Sequence, residues 1–343
     1  MSGVDRAGLL RAVDRMAGVP VLVVADLVLD VFEYGTIGRI SREAPVLILE
    51  HQRTVEVPGG GANAAHNLAT LGGRPLVVGR VGADAAGDTL VDRLGKAGAD
   101  VEGIWREPGY ETPIKRRILA GSAHSVKQQV VRVDRGGGKP VADAAALARR
   151  VAERAAPARG TLISDYSYGL LHAATIPAVQ KAAGAPDRPL FVDSRAQLRL
   201  FRGLTAATPN LQEAEGFAAR PLESDPSGLP EAARALRQSL GATALVVTLG
   251  SHGMLLLAGD APAAMIPVYG TDEVADVTGA GDTVIATLTL AVLSGASWSE
   301  AALLANYAGG IVVMKRGTAT VTPAELRAAI ASDPDPAGRI TTP

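Results

Sequence analysis

An acidic side chain follows a glycine-rich turn in the stretch "DVTGAGDTVIA", which runs from Asp276 to Ala286. Glycines let the backbone approach a ligand closely, and an apolar helix is predicted to follow them. The first N–H groups of a helix lack internal partners and carry partial positive charge, so such a turn is typical of an anion site. Asp282 would lie beside that anion, in range to accept a proton from a hydroxyl group. The alternative is an acid that only offsets the helix dipole, and the local sequence does not decide between them.

A second glycine turn lies in "VPGGGANAAHNLATLGG". Gly59-x-Gly61-x-x-Ala64 fits the dinucleotide-binding fingerprint, but the preceding residues alternate like an exposed strand and no acid follows about twenty residues later. A nicotinamide enzyme is therefore disfavoured. We expect this turn to bring its backbone and the Asn63 amide against a polyhydroxylated ligand, because an amide both donates and accepts hydrogen bonds. The alternative for Asn63 is a helix N-cap.

The stretch "TPNLQEAEG" places Asn210 and Glu213 three residues apart at the start of a predicted helix, so both side chains project to one side. They could reach a magnesium ion directly or through water, since Mg²⁺ prefers oxygen ligands and keeps several waters. The alternative is a capping box, in which the two residues satisfy each other's backbone.

Further candidates stand near the carboxyl ends of predicted strands, where ligands bind in open α/β sheets. In "VVTLGSHGM" a buried strand ends at Thr248 and is followed by Gly250 and Gly253. Three acids occupy similar places after other strands: Asp26, Asp165 and Asp193. Each alone could be an ordinary turn or cap. Together they predict one crevice at this edge of the sheet.

Several classes of function are excluded or disfavoured by composition. The chain has no Cys, which excludes disulfides, iron–sulfur clusters and Cys-type zinc sites. Its 34 basic and 35 acidic residues give a net charge of −1, which does not favour a broad nucleic-acid surface. It has no P-loop motif and no G-x-S-x-G motif, and its five His residues lack metal-ligand spacing. We predict no signal peptide and no membrane span, and we expect a cytoplasmic enzyme.

Short apolar runs alternate with Ala-rich helical stretches along the chain. The predicted buried strands are Val19–Leu27, Arg74–Gly82, Gly160–Tyr166, Arg188–Ser194 and Thr243–Gly250. The predicted helices include Gly61–Leu71, Asp84–Lys96, Ala142–Arg154, His172–Ala183 and Glu231–Ser239. This alternation predicts an α/β fold, with a mostly parallel, doubly wound sheet covered by helices on both faces.

Two segments, about 33–57 and 112–134, depart from this pattern because polar and apolar residues roughly alternate in them. We expect them to form a small β-sheet lid inserted into one domain that covers residues 1–331. A plain surface hairpin is the alternative. Residues 332–343 carry three Pro and few apolar side chains, which predicts a flexible tail.

Together these motifs resemble the PfkB or ribokinase family of sugar kinases over nearly the whole chain, from about Val19 to Leu326. "PGGGANAAHNLATLGG" resembles the N-terminal signature of the family, and "DVTGAGDTVIA" resembles its more specific C-terminal signature. Asn210-x-x-Glu213 matches its magnesium and phosphate motif. The resemblance implies a ribokinase-like fold with a small β lid, ATP as phosphoryl donor and Mg²⁺ as cofactor.

The resemblance also implies roles for individual residues. Asp282 would be the base, with Gly279, Ala280 and Gly281 as the anion hole for the transferring phosphoryl group. The acceptor would contact Asp26, Gly59, Gly60, Asn63 and Asp165, with its phosphate held by Arg39, Lys115 and Arg117, because a dianion needs Arg or Lys donors. The nucleotide side would comprise Asp193, Arg195, Asn210, Glu213, Thr248, Gly250, Gly253 and Asn306. Some members also bind a monovalent cation such as K⁺ near Asp276 and Thr278.

Within the family, "LDVFEYGTIGRISREAPVLILE", "QQVVRVD", "SDYSYG" and "TPNLQEAE" most resemble kinases that phosphorylate C1 of D-glycero-β-D-manno-heptose 7-phosphate. Three positions depart from the usual pattern: Ala25 replaces Gly, Tyr168 replaces Lys, and Ser194-Arg195 replaces Pro-Lys. The alternatives are a kinase of another sugar or nucleoside, and a binding protein without turnover. We expect a homodimer through the lid, since a protruding sheet leaves edges that can pair.

Overall fold

The computed structural model describes residues 4–122, 126–184, 187–222, 226–270 and 275–342. The strands are β1 (Pro20–Ala25), β2 (Leu27–Ile40), β3 (Leu47–Gly60), β4 (Arg74–Gly82), β5 (Asp100–Glu107), β6 (Ile114–Gly121), β7 (Gln128–Arg135), β8 (Gly160–Asp165), β9 (Leu190–Ser194), β10 (Ala206–Ala207), β11 (Ala244–Thr248), β12 (Met254–Ala258) and β13 (Ala264–Ile266). The helices are α1 (Arg6–Arg15), α2 (Gly61–Thr70), α3 (Ala85–Lys96), α4 (Ala144–Ala155), α5 (Ile176–Ala182), α6 (Leu211–Ala218), α7 (Leu229–Leu240), α8 (Ala280–Leu293), α9 (Trp298–Val313) and α10 (Pro323–Ser332).

The main sheet has nine strands in the order β13-β12-β11-β10-β9-β8-β1-β4-β5. The pairings from β11 to β5 are all parallel, whereas β12 and β13 are antiparallel at one edge. Side chains along β1 alternate between two core clusters: Val21 and Val23 pack on one face, Leu22 and Val24 on the other. Both faces are covered because a parallel sheet has no solvated side. The predicted doubly wound, mostly parallel sheet is confirmed.

A second sheet of four strands has the order β3-β2-β6-β7. Strands β2 and β3 form a long antiparallel hairpin, and β6 pairs with β2 in parallel. Both segments predicted for the lid lie in this sheet, but β2 begins at Leu27 and β3 ends at Gly60. The inner part of the lid is buried and the outer part is exposed, so the sheet connects the core to its projecting end.

The predicted strand Val19–Leu27 is interrupted, because β1 ends at Ala25 and β2 begins at Leu27. The backbone N–H of Asp26, between them, donates to the carbonyl of Ser164 on β8. Chain direction therefore changes at Asp26, where the chain leaves the main sheet for the lid.

Residues after α10, for which the sequence predicts a flexible tail, have defined contacts in the structure. Asp333 is buried, and its carboxylate accepts a hydrogen bond from the Tyr307 hydroxyl at 2.7 Å. Thr341 exchanges two backbone hydrogen bonds with Met265 of β13. A flexible tail would have neither contact. The sequence analysis considered the low apolar content of this segment, whereas polar contacts hold it in place. No helix in the described ranges is long and apolar enough to cross a membrane.

Candidate active site

Five neighbouring parallel strands, β11, β10, β9, β8 and β1, end at the same edge of the main sheet. The carboxyl ends of parallel strands meet at one edge, which is where ligands bind in open sheets. The structure places four predicted residues there: Asp26, Asp165, Asp193 and Thr248. The N-terminus of α8 reaches the same edge, since Asp282 contacts Tyr166 in the loop after β8.

Asp282 lies in the first turn of α8 and is 1% exposed. Its Oδ2 accepts a hydrogen bond from Nδ2 of Asn63 at 3.0 Å, and its Oδ1 accepts one from the Tyr166 hydroxyl at 2.9 Å. Burial raises the pKa of Asp282 from 3.8 to about 6, opposed by these two hydrogen bonds and by the charge of Lys115. Such a carboxyl group is ionised at neutral pH and is a better proton acceptor than an ordinary aspartate.

The glycine turn before Asp282 has the backbone geometry of an anion cradle. Gly279 is the N-cap of α8 with a φ of 81°, in the left-handed region that favours glycine. A Cβ at Gly279 would lie 2.5 Å from Nδ2 of Asn63, so a side chain there would displace the amide that holds Asp282. Ala280 and Gly281 form the start of α8, where N–H groups have no acceptor within the helix. The Ala280 N–H donates to the carbonyl of Val277 at 3.3 Å, whereas that of Gly281 can face a ligand.

The second glycine turn joins the lid strand β3 to α2. A Cβ at Gly59 would lie 2.4 Å from Cγ of Asp30 on β2, so glycine at this position lets β2 and β3 approach closely. Gly60 is the N-cap of α2, and the interpretation of Asn63 as N-cap is therefore wrong. Asn63 instead projects from the first turn of α2 to Asp282 and to the carbonyl of Gly279. The turn thus links the two glycine motifs of the sequence.

Asp30 is a buried acid on β2 that the sequence analysis did not single out. Its Oδ1 accepts from Nη1 of Arg117 at 2.9 Å and its Oδ2 accepts from the Thr318 hydroxyl at 2.7 Å. Its charge also acts on Asp282. The signal was present as an acid in the middle of an apolar strand, "LVLDVF", where a charge is rarely buried without a partner.

Asp26 and Asp165 hold the loop that follows β8. The Asp26 carboxylate accepts backbone N–H groups of Tyr166, Tyr168 and Leu170 at 2.9, 3.0 and 3.3 Å. Asp165 accepts the Ser194 hydroxyl at 2.6 Å. Both carboxylates are thus engaged by the protein itself, which indicates a structural role, and their contact with an acceptor stays a prediction.

Lys115 and Arg117 alternate on β6 and are both buried, at 4% and 7% exposed. Burial lowers the pKa of Lys115 from 10.5 to about 8, with the charge of Arg195 adding to the effect. Arg117 forms a salt bridge with Asp30 at 2.9 Å. Both cations thus lie beside the acids near Asp282.

Arg39 is not brought to this site within the protomer. It is exposed near the outer end of β2, nine residues beyond Asp30, which is about 30 Å along an extended strand. The structure thus separates Arg39 from Lys115 and Arg117, and the contact of Arg39 with an acceptor phosphate stays a prediction. Residue type alone suggested a phosphate contact for Arg39, whereas the length and direction of β2 decide which cations lie together.

The nucleotide side of the edge is more open. Asn210 and Glu213 form a capping box at the start of α6, each side chain accepting the backbone N–H of the other at 2.9 Å. Burial raises the pKa of Glu213 and raises that of Asp193 well above its ordinary value. Arg195 lies between these acids and Tyr166, and it lines a cavity of about 700 Å³ together with Asn210 and Glu213.

The remaining predicted nucleotide contacts lie on neighbouring loops. Thr248 ends β11 and bridges to Asn210, so the two motifs are adjacent. Gly250 and Gly253 both have positive φ, 58° and 87°, and a Cβ at Gly253 would lie 2.0 Å from the carbonyl oxygen of Ile266. Asn306 on α9 is buried, and its Oδ1 has no hydrogen-bond partner within the described residues.

Asp276 closes the loop before α8. Its Oδ1 accepts the N–H of Thr278 at 2.9 Å and its Oδ2 accepts that of Gly317 at 3.1 Å. A monovalent cation bound there would meet this carboxylate, which still has free lone pairs.

The donor set fits a hydrated magnesium ion. Among the residues that the structure describes, no three His, Asp or Glu side chains form a metal-binding group. Asn210 and Glu213 supply one amide and one carboxylate. Two residues before Asn210, the hydroxyl of buried Thr208 has no partner in the described ranges. Such a set suits Mg²⁺ that keeps its waters and is bound mainly by substrate phosphates.

Sequence comparisons identify a family and curated relatives. A family model described as pfkB family carbohydrate kinase matches residues 22–325. The protein named Bifunctional protein HldE of Halorhodospira halophila is 42% identical over 322 residues, which cover 93% of this chain and 65% of the relative. The protein of the same name from Caulobacter vibrioides is 39% identical over 326 residues, covering 94% of this chain and 66% of the relative. The chain thus spans just under two thirds of the length of these relatives.

Solved structures of similar fold are more distant in sequence. Arabidopsis thaliana ribokinase complexed with ribose and ATP has a TM-score of 0.71 at 20% identity, covering 92% of this chain and 100% of that chain. Phosphofructokinase-2 from Escherichia coli in complex with potassium has a TM-score of 0.71 at 20% identity, covering 92% and 98%. At this identity the likeness shows the fold, and it agrees with the ribokinase-like architecture expected from the sequence.

Proposed function

The chain belongs to the pfkB family of carbohydrate kinases, and on that premise we propose that it transfers the γ-phosphoryl group of ATP to C1 of D-glycero-β-D-manno-heptose 7-phosphate. A sugar kinase is what the family match shows. The acceptor is the finer step, and it rests on the resemblance of the lid and loop stretches quoted above to heptose-7-phosphate kinases. A cytoplasmic location stays a prediction.

The observation that carries the proposal is the buried carboxylate of Asp282 at the N-terminus of α8. Its pKa of about 6 and its place beside the Gly279 turn suit a base next to an anion site. In the proposed reaction the C1 hydroxyl gives its proton to Asp282 while its oxygen forms a bond to the γ-phosphorus of ATP. The bond from that phosphorus to the β–γ bridging oxygen breaks, and ADP leaves. The N–H groups at the start of α8 would stabilise the charge on the transferring group.

The acceptor would lie between Asp282 and the inner end of the lid. Asp30 and Asn63 offer hydrogen-bonding groups to sugar hydroxyls, while Lys115 and Arg117 offer charge to the 7-phosphate. Arg117 keeps further guanidinium donors beyond the one bound to Asp30, because a guanidinium has five N–H groups. Two buried cations, of which Lys115 acts electrostatically on the base, favour an acceptor that carries a phosphate over a neutral sugar.

Asn210 and Glu213 would hold Mg²⁺ through water, and the ion would neutralise charge on the ATP phosphates. Arg195, Asp193, Thr248 and Gly250 would border the phosphates and the nucleotide. K⁺ at Asp276 and Thr278 is a further proposal. Potassium appears in the name of the phosphofructokinase-2 complex, and for this chain it rests on the resemblance alone.

We also propose a homodimer through the lid. Large apolar side chains are exposed at its outer end and on β7, among them Ile40, Val46, Val131 and Val133, which are 45–66% exposed. An apolar, open strand edge favours pairing with a second copy. Sedimentation of the wild type against a Val131→Lys, Val133→Lys variant tests it: a dimer that becomes a monomer is expected, and a wild-type monomer contradicts it.

The kinase proposal is tested with purified protein, MgATP and a panel of acceptors, following ADP release. The panel contains heptose 7-phosphate, the same heptose without phosphate, fructose 6-phosphate, ribose and a nucleoside. We expect the highest kcat/KM for heptose 7-phosphate, at least about a hundredfold above the unphosphorylated heptose. Turnover of ribose or fructose 6-phosphate alone would contradict the acceptor, and no turnover of any acceptor would contradict the kinase.

A further inference from the structure

Tyr166, in the loop after β8, touches the proposed base directly. Its side chain is half-buried, and its hydroxyl donates to Oδ1 of Asp282 at 2.9 Å. Asn63 holds the other carboxylate oxygen from α2. Asp282 is thus held by residues from two separate elements. Of these two residues, Tyr166 also contacts the cations Lys115 and Arg195.

Two cations lie over the Tyr166 ring. The Lys115 ammonium is 4.5 Å from the ring centroid and the Arg195 guanidinium is 4.4 Å from it. In the described parts of the chain neither cation forms a salt bridge. The two cations repel each other, and the charge of Arg195 lowers the pKa of Lys115. A cation–π contact holds a cation in place without neutralising it. Both charges therefore remain available to an anion.

The loop that carries Tyr166 is held in one conformation. Asp26 accepts the backbone N–H of Tyr166 and of Tyr168. Arg80, which is 2% exposed, donates to the carbonyl of Tyr168 at 3.2 Å. Ser167 has a φ of 62°, a conformation that a non-glycine residue keeps only when its surroundings impose it. The buried groups around the loop thus fix where the Tyr166 side chain points.

We propose that Tyr166 is a positioning residue of the phosphoryl-transfer site, whose hydroxyl orients Asp282 and whose ring holds Lys115 and Arg195 ready for the substrate anions. The inference rests on the proposed kinase function and adds a residue to it. Tyr166 itself exchanges no proton with the acceptor; it acts through the carboxylate and the two cations.

The hydroxyl and the ring have separable effects. A hydrogen bond donated to a carboxylate stabilises the ionised form, so the hydroxyl keeps Asp282 a base at lower pH. The other groups facing Asp282 are Asn63 from α2, Lys115 from β6, Asp30 from β2 and Asp193 from β9. Tyr166→Phe leaves all of them in place and removes the hydroxyl alone. Tyr166→Leu removes the ring as well.

The first measurement needs no turnover. Aspartate side chains labelled with ¹³C are titrated by NMR in the full chain, and the Asp282 signal is assigned by its loss in Asp282→Asn. Tyr166→Phe is expected to raise the pKa of Asp282 by about one pH unit. The matched control is Tyr307→Phe, which deletes another buried hydroxyl bound to a carboxylate, that of Asp333. This control is expected to leave the Asp282 titration unchanged.

The second measurement is the pH profile of kcat/KM. With the pKa of Asp282 raised from about 6 to about 7, Tyr166→Phe loses about fivefold more activity than the wild type at about pH 6. At about pH 8 the base is ionised in both proteins, so a remaining loss of about two- to tenfold reports misorientation of the carboxylate. Tyr166→Leu is expected to raise the KM for the phosphorylated acceptor about tenfold further, because the cations lose their support.

Two results would overturn the proposal. One is a Tyr166→Phe protein whose Asp282 titration and pH profile match those of the wild type. The other is a uniform loss of activity at every pH with an unchanged Asp282 pKa, as a merely structural residue would give. If no acceptor is turned over by the wild type, the kinase proposal fails, while the NMR titration still decides whether Tyr166 tunes Asp282.

Discussion

The hydrogen bond of Tyr166 to Asp282 and that of Tyr307 to Asp333 both join a tyrosine hydroxyl to a buried aspartate, and they differ in their surroundings. Tyr166 donates to Asp282 at 2.9 Å at the edge of the main sheet, and Tyr307 donates to Asp333 at 2.7 Å where α9 meets the C-terminal segment. Both acids are buried, at 1% and 6% exposed. Local chemistry is therefore the same in the two places.

Their partners differ. Oδ2 of Asp333 lies 3.5 Å from Nε of Arg339, and its Oδ1 accepts the N–H of Asp335 at 3.0 Å. Asp282 has no salt bridge within the described ranges, and burial raises its pKa to about 6. A neutralised acid fastens a chain end, whereas a buried acid without a salt bridge, next to a glycine turn, is suited to accept a proton. The same tyrosine–aspartate pair can therefore have a structural or a catalytic role, and the groups around the aspartate decide which.

The largest expected effect comes from Asp282→Asn. Without a base, kcat is expected to fall about a thousandfold, since general-base catalysis contributes on that order. Steady-state kinetics with the best acceptor of the panel measures it. The matched variant Asp333→Asn removes the corresponding charge from the other pair and is expected to change kcat by less than about twofold. Equal losses in the two variants, or an undiminished rate in Asp282→Asn, would remove the proposed base.

Asp282→Asn is expected to lose activity but to gain stability against unfolding. Because Asp282 has a folded-state pKa above its ordinary 3.8, the folded protein binds a proton more tightly than the unfolded chain, and stability falls as pH rises from about 4 to about 6. Asp282→Asn lacks this loss. Its free energy of unfolding relative to wild type should therefore rise across that window by about 3 kcal/mol and stay constant above it.

Denaturant unfolding at a series of pH values measures this difference. Asp333→Asn serves as the comparison: it weakens the contacts to Tyr307 and Arg339 and is expected to lower stability by about 1 to 3 kcal/mol at neutral pH. A wild-type minus Asp282→Asn difference that is flat from about pH 4 to about pH 7 would show that burial does not destabilise the Asp282 charge.

Most of the fold follows from local patterns. Strand β4 was predicted with its observed bounds, Arg74–Gly82, because a buried parallel strand is a continuous apolar run between turn residues. The lid segments were found because half-exposed strands alternate. Less was predicted at β12 and β13, short antiparallel strands at the sheet edge whose sequence carries no helix between them.

The site was predicted unevenly for a physical reason. Glycine turns and the capping box are local in sequence, so their residue types reveal them. The contacts of Asp30 and Tyr166, and those of Arg80 with the carbonyls of Lys139 and Tyr168, join residues 59 to 288 positions apart in the chain. Such contacts leave no periodic signal. The same holds for Arg39, whose type suits a phosphate but whose strand carries it outward.

The smallest expected effect compares the cations beside the two pairs. Lys115→Met removes an ammonium group that has no salt bridge among the described residues, and Arg339→Met removes a guanidinium group that is paired with Asp333. We expect Lys115→Met to raise the KM for the phosphorylated acceptor about tenfold, because one charge–phosphate contact is lost. Arg339→Met should leave KM unchanged and cost about 1 kcal/mol of stability.

The ionisation of Lys115 makes this last comparison sharper. Burial lowers the pKa of Lys115 to about 8, so its charge is present below that pH and is lost as pH rises through it. Wild-type KM for the phosphorylated acceptor should therefore rise above about pH 8, whereas the KM of Lys115→Met should stay nearly level over the same range. A parallel rise in both proteins would assign the titration to another group and exclude Lys115 from binding the acceptor phosphate. A rise in KM confined to the wild type would show that the Lys115 charge binds the acceptor phosphate. Arg339, in contrast, is already paired with Asp333.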